Sequence, residues 1–309
     1  MNIIVFPGQG SQKIGMGKEL SDNFPEAKQV FEEVNDALNF NLTRVMWDGT
    51  DNEIALTSNA QPALMACSIA TLRVLNKITN KNLSDLACYV CGHSLGEYSA
   101  MTAAEVFSIS QCATLLRLRG DAMQKAVPIG KGAMAALIGT NIKIAVKVID
   151  KVKCYGVCDI ANDNSQGQVV ISGDILAVEN AMKYSKDFGI KKAILLPVSA
   201  PFHCRLMKPA QIIMEEALNK LNFKTPLIPI ISNVNVLPEN NPDKLRKNLI
   251  DQVTGTVRWR ETMEFAENKS IKKIIELGSG KVLTGIAKRM IKDIVTINIE
   301  NPEDFKNFT

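Results

Sequence analysis

Ser94 lies at the centre of the segment CGHSLGEYSA, residues 91–100, with Gly92 two positions before it and Gly96 two positions after it. This G-x-S-x-G spacing is typical of a nucleophile elbow, a sharp turn from a strand into a helix that exposes the serine hydroxyl. The turn crowds the neighbouring backbone, and glycines on both sides would relieve that crowding. The pattern predicts nucleophilic acyl chemistry at Ser94, with backbone N–H groups at the helix N-terminus stabilising an oxyanion.

The same stretch has a second interpretation as a helix cap. Ser94 and Glu97 fit the S-x-x-E capping box, in which the serine bonds a backbone N–H and the glutamate reaches back. A cap has no need of glycine on both sides of the serine, whereas an elbow does. The elbow is therefore the favoured interpretation.

A serine hydroxyl is a weak nucleophile until a base takes its proton, and the chain contains two histidines. His93 directly precedes Ser94, and adjacent side chains on a tight turn diverge, so we expect His93 to support the elbow. His203 is the predicted general base, with a pKa expected near its ordinary value of about 6.5. No acid stands in an evident motif to orient it, which leaves Asn233 and Gln252 as polar candidates.

The elements around Ser94 alternate between strand and helix. The apolar run 86–91 predicts a buried strand before the elbow, and residues 3–7 predict another that ends in a G-Q-G-S-Q turn. Further patterns predict helices around 24–38, 60–78, 95–104, 109–126, 205–220, 242–252 and 258–267, another after the GSGK turn at 278–281, and strands at 228–232, 272–278 and 295–300. Pro62 is expected in a tolerated first helical turn. This alternation predicts an α/β fold with a parallel sheet that helices cover on both faces.

Residues 130–196 have a different pattern. Their predicted order is β-α-β-β-α-β, which is typical of a ferredoxin-like domain. We therefore predict a small inserted subdomain at 130–196 and a large catalytic domain formed by 1–129 and 197–309.

Composition narrows the class of protein. The 309 residues are 46% hydrophobic, 22% charged and 6% aromatic, with a net charge of +4, which is ordinary globular composition. No basic stripe or aromatic platform indicates a nucleic-acid partner. No apolar run reaches the length of a membrane span and no leader precedes the first strand, so a cytoplasmic location is expected.

The seven cysteines do not form a disulfide or metal pattern. Cys88 and Cys91 form a C-x-x-C pair, but they lie on a predicted apolar strand whose extended geometry suits a disulfide poorly. Cys154 and Cys158 lack a second pair of ligands, so structural zinc is not expected.

Six segments together resemble the malonyl-CoA:acyl carrier protein transacylases of fatty acid synthesis. Their order and spacing match that family over nearly the whole chain, and they are FPGQGSQ (6–12), NAQPA (59–63), GHSLGEYSA (92–100), LRGDAM (118–123), VSAPFHC (198–204) and QVTGTVRW (252–259). The resemblance implies a hydrolase-like α/β domain with a ferredoxin-like insertion.

The resemblance also implies roles for individual residues. Ser94 would be the acylated nucleophile and His203 its base. The backbone N–H groups of Gln9 and Leu95 would form the oxyanion hole. Gln252 would contact the groups around the active site, and a backbone carbonyl, instead of an acid, would orient the histidine.

Arg119 would hold the free carboxylate of the malonyl group in that family. A guanidinium can grip a carboxylate with two parallel hydrogen bonds, which would select malonyl over acetyl. Without the resemblance, a surface arginine beside Arg117 would be the favoured interpretation. Thr256 stands where the family usually has proline, and Phe202 before the histidine resembles malonyl-selective members.

These roles predict a two-step transfer without a metal or redox cofactor. Malonyl-CoA would acylate Ser94 and release coenzyme A, and the phosphopantetheine thiol of an acyl carrier protein would then accept the malonyl group. We expect a basic patch near the cleft for an acidic carrier, and a monomer. The alternatives are a serine thioesterase, which passes the acyl group to water, and a non-enzymatic docking subunit of the same fold.

Overall fold

A computed structural model describes residues 1–308 of the chain, so Thr309, the last residue of the predicted large domain, lies outside the described residues. The strands are β1 Asn2–Phe6, β2 Tyr89–Gly92, β3 Gly132–Ile138, β4 Cys158–Ser165, β5 Gln168–Asp174, β6 Lys192–Leu195, β7 Ile230–Ile231, β8 Pro238–Glu239, β9 Lys273–Leu277 and β10 Val295–Ile299. The helices are α1 Lys18–Asn23, α2 Pro25–Leu38, α3 Leu42–Asp48, α4 Asp51–Ala55, α5 Thr57–Thr79, α6 Leu83–Leu86, α7 Leu95–Ala103, α8 Ile109–Lys125, α9 Ile142–Val152, α10 Ile175–Tyr184, α11 Lys208–Asn219, α12 Pro242–Gln252, α13 Trp259–Asn268 and α14 Val282–Met290.

The larger sheet has the strand order β10-β9-β1-β2-β7-β8 and is parallel except for the short antiparallel β8. Phe6 at the end of β1 is in register with Gly92 at the end of β2. The turn after β1 and the elbow after β2 therefore lie side by side at the carboxyl edge of the sheet, where α/β enzymes place their sites.

Helices cover both faces of this sheet because successive residues of a strand point to opposite sides. Ile4 and Phe6 of β1 pack into the core formed with α2, α5 and α8, whereas Ile3 and Val5 pack against α13 and α14. This arrangement confirms the predicted α/β architecture with a parallel sheet covered on both faces.

The smaller sheet is antiparallel, with the order β4-β5-β3-β6, and α9 and α10 pack on one of its faces. The chain order β-α-β-β-α-β combined with this strand order is the ferredoxin-like arrangement that the sequence predicts. Its strands and helices lie between Gly132 and Leu195. The limits 130–196 of the inserted subdomain stay a prediction.

Strand β4 ties the smaller sheet to the larger domain. Val257 donates its backbone N–H to the Ala161 carbonyl at 2.9 Å, and its own carbonyl accepts from the Asp163 N–H at 2.9 Å. The Thr256 hydroxyl donates to the Ile160 carbonyl at 2.7 Å. The segment between α12 and α13 is thus held along β4 by main-chain and side-chain hydrogen bonds.

Some short elements escape the sequence analysis. Helices α1, α3, α4 and α6 span too few residues for a 3.6-residue period to be recognised. Helix α5 begins at Thr57, so Pro62 is inside the helix beyond its first turn, and the expectation of a first-turn proline was wrong. No helix among residues 1–308 combines the length and apolar character needed to cross a membrane.

Candidate active site

Ser94 occupies a strained turn between the end of β2 and the start of α7. Its φ is 53° and its ψ is −112°, a conformation that residues other than glycine rarely adopt. A Cβ at Gly92 would collide with the Gly96 carbonyl, and a Cβ at Gly96 would collide with the Phe6 carbonyl. The Ser94 side chain makes no capping hydrogen bond, so the geometry is that of an elbow and the capping-box interpretation was wrong.

His203 faces the Ser94 hydroxyl. Its Nε2 lies 2.7 Å from Ser94 Oγ, and its Nδ1 lies 2.9 Å from the Gln252 carbonyl and 3.2 Å from the Gly255 carbonyl. A carbonyl oxygen only accepts hydrogen bonds, so Nδ1 carries the proton and Nε2 is left to accept from the serine. Two main-chain carbonyls therefore occupy the place that an acid takes in a Ser-His-Asp triad.

The protonation of His203 differs from the sequence expectation. The side chain is buried, and burial together with the positive charge of Arg119 lowers its pKa to about 3. The expected pKa near 6.5 was wrong because it took no account of desolvation, which disfavours the charged imidazolium. The imidazole is consequently neutral, and ready to accept a proton, across the whole neutral range.

Arg119 is buried on α8, with 1% of its surface exposed, so the surface interpretation was wrong. Its Nη1 donates to Gln61 Oε1 at 2.8 Å, and its Nη2 donates to Gln252 Oε1 at 2.9 Å and to Ser94 Oγ at 3.2 Å. Its Nε has no hydrogen-bond partner among residues 1–308. No carboxylate in that part of the chain forms a salt bridge with it, and the nearby buried carboxyl of Glu97 is linked to it only through the Gln252 amide. A buried cation therefore stands beside the serine oxygen without a carboxylate in direct contact.

Gln252 joins these groups through a single side-chain amide. Its Oε1 accepts from Arg119, while its Nε2 donates to the Ser94 carbonyl at 2.8 Å and to Glu97 Oε2 at 2.8 Å. The residue therefore holds Arg119 with its side chain and His203 with its backbone carbonyl.

Gln9 and Leu95 lie on the two turns at the carboxyl edge of the sheet. Leu95 directly follows Ser94, and Gln9 follows β1, whose Phe6 pairs with Gly92. Among residues 1–308, no main-chain carbonyl accepts a hydrogen bond from the backbone N–H of either residue. Both N–H groups are thus available to an oxyanion.

The His93 side chain contacts the smaller sheet and not the Ser94 hydroxyl. Its Nε2 lies 2.9 Å from Asn164 Oδ1 on β4, and its ring packs 5.6 Å from the Trp259 ring. Burial lowers its pKa as well. These contacts fit the expected supporting position beside the elbow.

Several site residues were missed or placed differently by the sequence analysis. Asn233 braces the elbow instead of the histidine: its Oδ1 accepts from the Ser94 N–H at 2.8 Å and its Nδ2 donates to the Gly92 carbonyl at 2.7 Å. Gln61, which binds Arg119, lies in the NAQPA segment. That segment contributed to the family resemblance, but no role for Gln61 followed from it. Glu97 is fully buried beside Gln252, a position that only the tertiary fold reveals.

Comparison with known proteins places this geometry in a family. Residues 3–301 match the acyl transferase domain family. The malonyl CoA-acyl carrier protein transacylase of Bacillus subtilis (strain 168) is 41% identical over 300 residues, which cover 97% of this chain and 93% of that protein.

Solved structures agree with these sequence matches. The acyl-carrier-protein-S-malonyltransferase from Bartonella henselae has a TM-score of 0.97 and 48% identity, covering 99% of this chain and 98% of that one. A malonyl-transacylase solved in complex with a type II PKS acyl-carrier protein has a TM-score of 0.95 and 38% identity, covering 99% and 98% of the two chains. The chain therefore belongs to the acyl transferase domain family and, within it, to the malonyl-CoA:acyl carrier protein transacylases.

Proposed function

We propose that this chain transfers the malonyl group of malonyl-CoA to the phosphopantetheine thiol of an acyl carrier protein through a malonyl ester of Ser94. The observation that carries the proposal is the position of Arg119, a buried cation that forms no salt bridge among residues 1–308 and whose Nη2 lies 3.2 Å from Ser94 Oγ. Such a site calls for an acyl group that brings its own carboxylate. The names of the relatives and the carrier complex of one structural neighbour support the same substrates.

In the first half-reaction, Ser94 Oγ attacks the thioester carbonyl carbon while its proton passes to His203 Nε2, 2.7 Å away. The resulting oxyanion accepts hydrogen bonds from the backbone N–H groups of Gln9 and Leu95. The C–S bond then breaks, and coenzyme A leaves as the thiol with the proton from His203. The product is malonyl-Ser94.

The second half-reaction reverses these roles for a new thiol. The phosphopantetheine sulfur gives its proton to His203 Nε2 and attacks the ester carbonyl of malonyl-Ser94. The C–Oγ bond breaks, and Ser94 takes the proton back from the histidine. The reaction is therefore a transfer between thioesters that regenerates the free enzyme.

Arg119 gives the transfer its preference for malonyl over acetyl. The malonyl carboxylate forms charge-assisted hydrogen bonds with the guanidinium, whereas an acetyl group leaves the buried cation unpaired. The arginine also donates to Ser94 Oγ, so its charge stabilises the alkoxide as the proton leaves.

The remaining features of the proposal concern the surroundings of the reaction. The chemistry runs without a metal or redox cofactor, since a serine, a histidine and backbone donors account for each proton and bond. We place the enzyme in the cytoplasm as a monomer without a nucleic-acid or membrane partner, and we assign residues 130–196 to the inserted subdomain.

The test is an intact-mass spectrum recorded after brief mixing with malonyl-CoA, beside acetyl-CoA and the Ser94→Ala variant. We expect one malonyl adduct on the wild type, a weak acetyl adduct, and none on the variant, followed by loss of the malonyl adduct when a phosphopantetheinylated carrier is added. Free coenzyme A that accumulates beyond one equivalent per enzyme without a carrier would instead indicate a thioesterase. Neither adduct nor free coenzyme A would favour a docking subunit and overturn the proposal.

A further inference from the structure

Glu97 is a carboxyl group within the active-site network that the transfer mechanism above does not use. It lies in the first turn of α7 and none of its surface is exposed. Its Oε2 accepts from Gln252 Nε2 at 2.8 Å and from the Asn233 backbone N–H at 3.1 Å, and its Oε1 has no partner among residues 1–308. Burying a carboxyl group is costly, so its presence beside the reacting groups calls for an explanation.

Helix capping does not explain Glu97. In a capping box, the acid three residues after the cap accepts from the backbone N–H of the cap residue. Here the Ser94 N–H donates to Asn233 Oδ1 at 2.8 Å instead. Because Asn233 takes over that bond, the Glu97 carboxyl can turn towards Gln252.

The contact with Glu97 helps to decide which way the Gln252 amide faces. A carboxylate and the Ser94 carbonyl both accept hydrogen bonds, and both lie at the NH₂ end of the amide. The oxygen end is thereby directed at Arg119, which only donates. The reversed amide would set its oxygen against two acceptors and its NH₂ against the guanidinium.

We propose that Glu97 is a positioning residue for malonyl selectivity, because its carboxyl oxygen orients the Gln252 amide that holds Arg119 beside Ser94. The inference rests on the proposed function, in which Arg119 receives the malonyl carboxylate. Acetyl transfer does not use that contact. Disturbing Glu97 should therefore lower kcat/KM for malonyl-CoA more than kcat/KM for acetyl-CoA. The ratio of the two values should fall, whereas a purely structural role would lower both values equally.

Three variants at this position separate the possible roles. E97Q keeps an acceptor oxygen where Oε2 lies and removes the charge. E97L removes the acceptor, and E97D draws it back by one methylene group while keeping the carboxyl. E97D also serves as the second disruptive variant if E97L does not fold. Circular dichroism and the melting temperature of each protein report on folding.

The measurement is initial transfer rate to a carrier protein with malonyl-CoA and with acetyl-CoA. We expect E97L and E97D to lower the malonyl-to-acetyl ratio about 10-fold, the size of a lost hydrogen bond in a buried site, and E97Q to keep it within about 3-fold. In a Gln252→Leu background, E97L should lower the ratio no further, because the residue acts through that amide.

Two results would overturn the inference. Equal losses for malonyl and acetyl would indicate a structural role, and a loss in E97Q as large as in E97L would indicate a role for the charge instead of the acceptor. The wild-type arm tests the proposed function separately, since a wild-type enzyme without a malonyl preference would contradict the role of Arg119 itself.

Discussion

The Nδ1 atom of His203 lies 2.9 Å from the backbone carbonyl oxygen of Gln252. A carbonyl fixes the tautomer and the direction of the ring as a carboxylate would, but it brings no negative charge to stabilise an imidazolium. The pKa of His203, lowered by burial to about 3, is in keeping with a neutral partner. The base is thus oriented by the main chain, and no side-chain substitution at position 252 can remove the orienting atom.

Replacing Arg119 with alanine should convert a malonyl-selective enzyme into an unselective one. The guanidinium is buried and is the cation beside Ser94 Oγ, so we expect kcat/KM for malonyl-CoA to fall by about 10²- to 10³-fold and that for acetyl-CoA to fall much less. Arg117→Ala is the matched control on the same helix, since Arg117 bonds Asn59 and not the serine. Steady-state kinetics with both thioesters measure the ratio, and an unchanged ratio in Arg119→Ala would contradict its assignment.

The pH dependence of acylation should reflect the lowered pKa of His203. Because the imidazole stays neutral in the free enzyme down to about pH 3, the acid limb of kcat/KM should not have its midpoint near the ordinary value of about 6.5. Stopped-flow release of coenzyme A between pH 5 and pH 8, chosen to bracket that value of about 6.5, supplies the profile. A midpoint close to the ordinary histidine pKa would show that the base is solvated before substrate binds.

The same shift makes a prediction for stability. The folded chain binds a proton at His203 less readily than the unfolded chain, whose histidine titrates near about 6.5. The contribution of neutral His203 to the free energy of unfolding is therefore fully present above that value and is lost as the pH falls towards about 3. Urea unfolding of wild type and His203→Gln at several pH values checks this, and the variant should lose less stability on acidification.

A methyl group at Gly96 should disrupt the elbow. Its Cβ would collide with the Phe6 carbonyl, a main-chain atom of β1 that cannot swing aside, so we expect Gly96→Ala to cost about 3 kcal/mol and to abolish acylation. Gly167→Ala is the control, because no atom lies within 4 Å of a Cβ added there. Thermal unfolding of both proteins measures the loss of stability. A stable, active Gly96→Ala would show that the elbow can move away from the Phe6 carbonyl.

Thr256, where the family usually has proline, should stabilise the junction between the two sheets. Its hydroxyl donates to the Ile160 carbonyl at 2.7 Å, and the adjacent Gly255 carbonyl lies 3.2 Å from His203 Nδ1. We expect Thr256→Val to lower the free energy of unfolding by about 1 kcal/mol and kcat by a few-fold, whereas Thr256→Ser should behave like wild type. Equal stability for the valine and serine variants would mean that the hydroxyl contributes nothing.

Local rules account for the part of the site that follows directly from neighbouring residues. Glycines at 92 and 96 predicted the elbow from their spacing alone. The crowding that Gly92 relieves, against the Gly96 carbonyl, arises within five residues of chain, whereas the contact of Gly96 with the Phe6 carbonyl depends on the pairing of the strands. The pairing of His203 with Ser94 followed from there being two histidines, one of them adjacent to the serine. Neither inference needed the fold.

The other properties of the site depend on which side chains the fold buries away from water. Nothing in the period of α8 distinguishes buried Arg119 from Arg117, which is partly exposed, and only the resemblance favoured the former. The fall in the pKa of His203 arises from burial, which has no local sequence signal. The carboxyl of Glu97 meets Gln252 across 155 positions of chain, so its partner could not be read from its neighbours.

Both reacting side chains stand on backbones with positive φ, 53° at Ser94 and 55° at His203. Since glycine adopts such angles at little cost, Ser94→Gly should melt at a higher temperature than the wild type while losing all transfer. Directed evolution for heat resistance alone would accordingly enrich glycine at position 94 and remove the nucleophile, whereas at position 203 the cavity left by the buried imidazole would offset the relief of the backbone. Ser94 is therefore a residue that activity retains although glycine suits its backbone better, so stability and reactivity favour different residues at this one position.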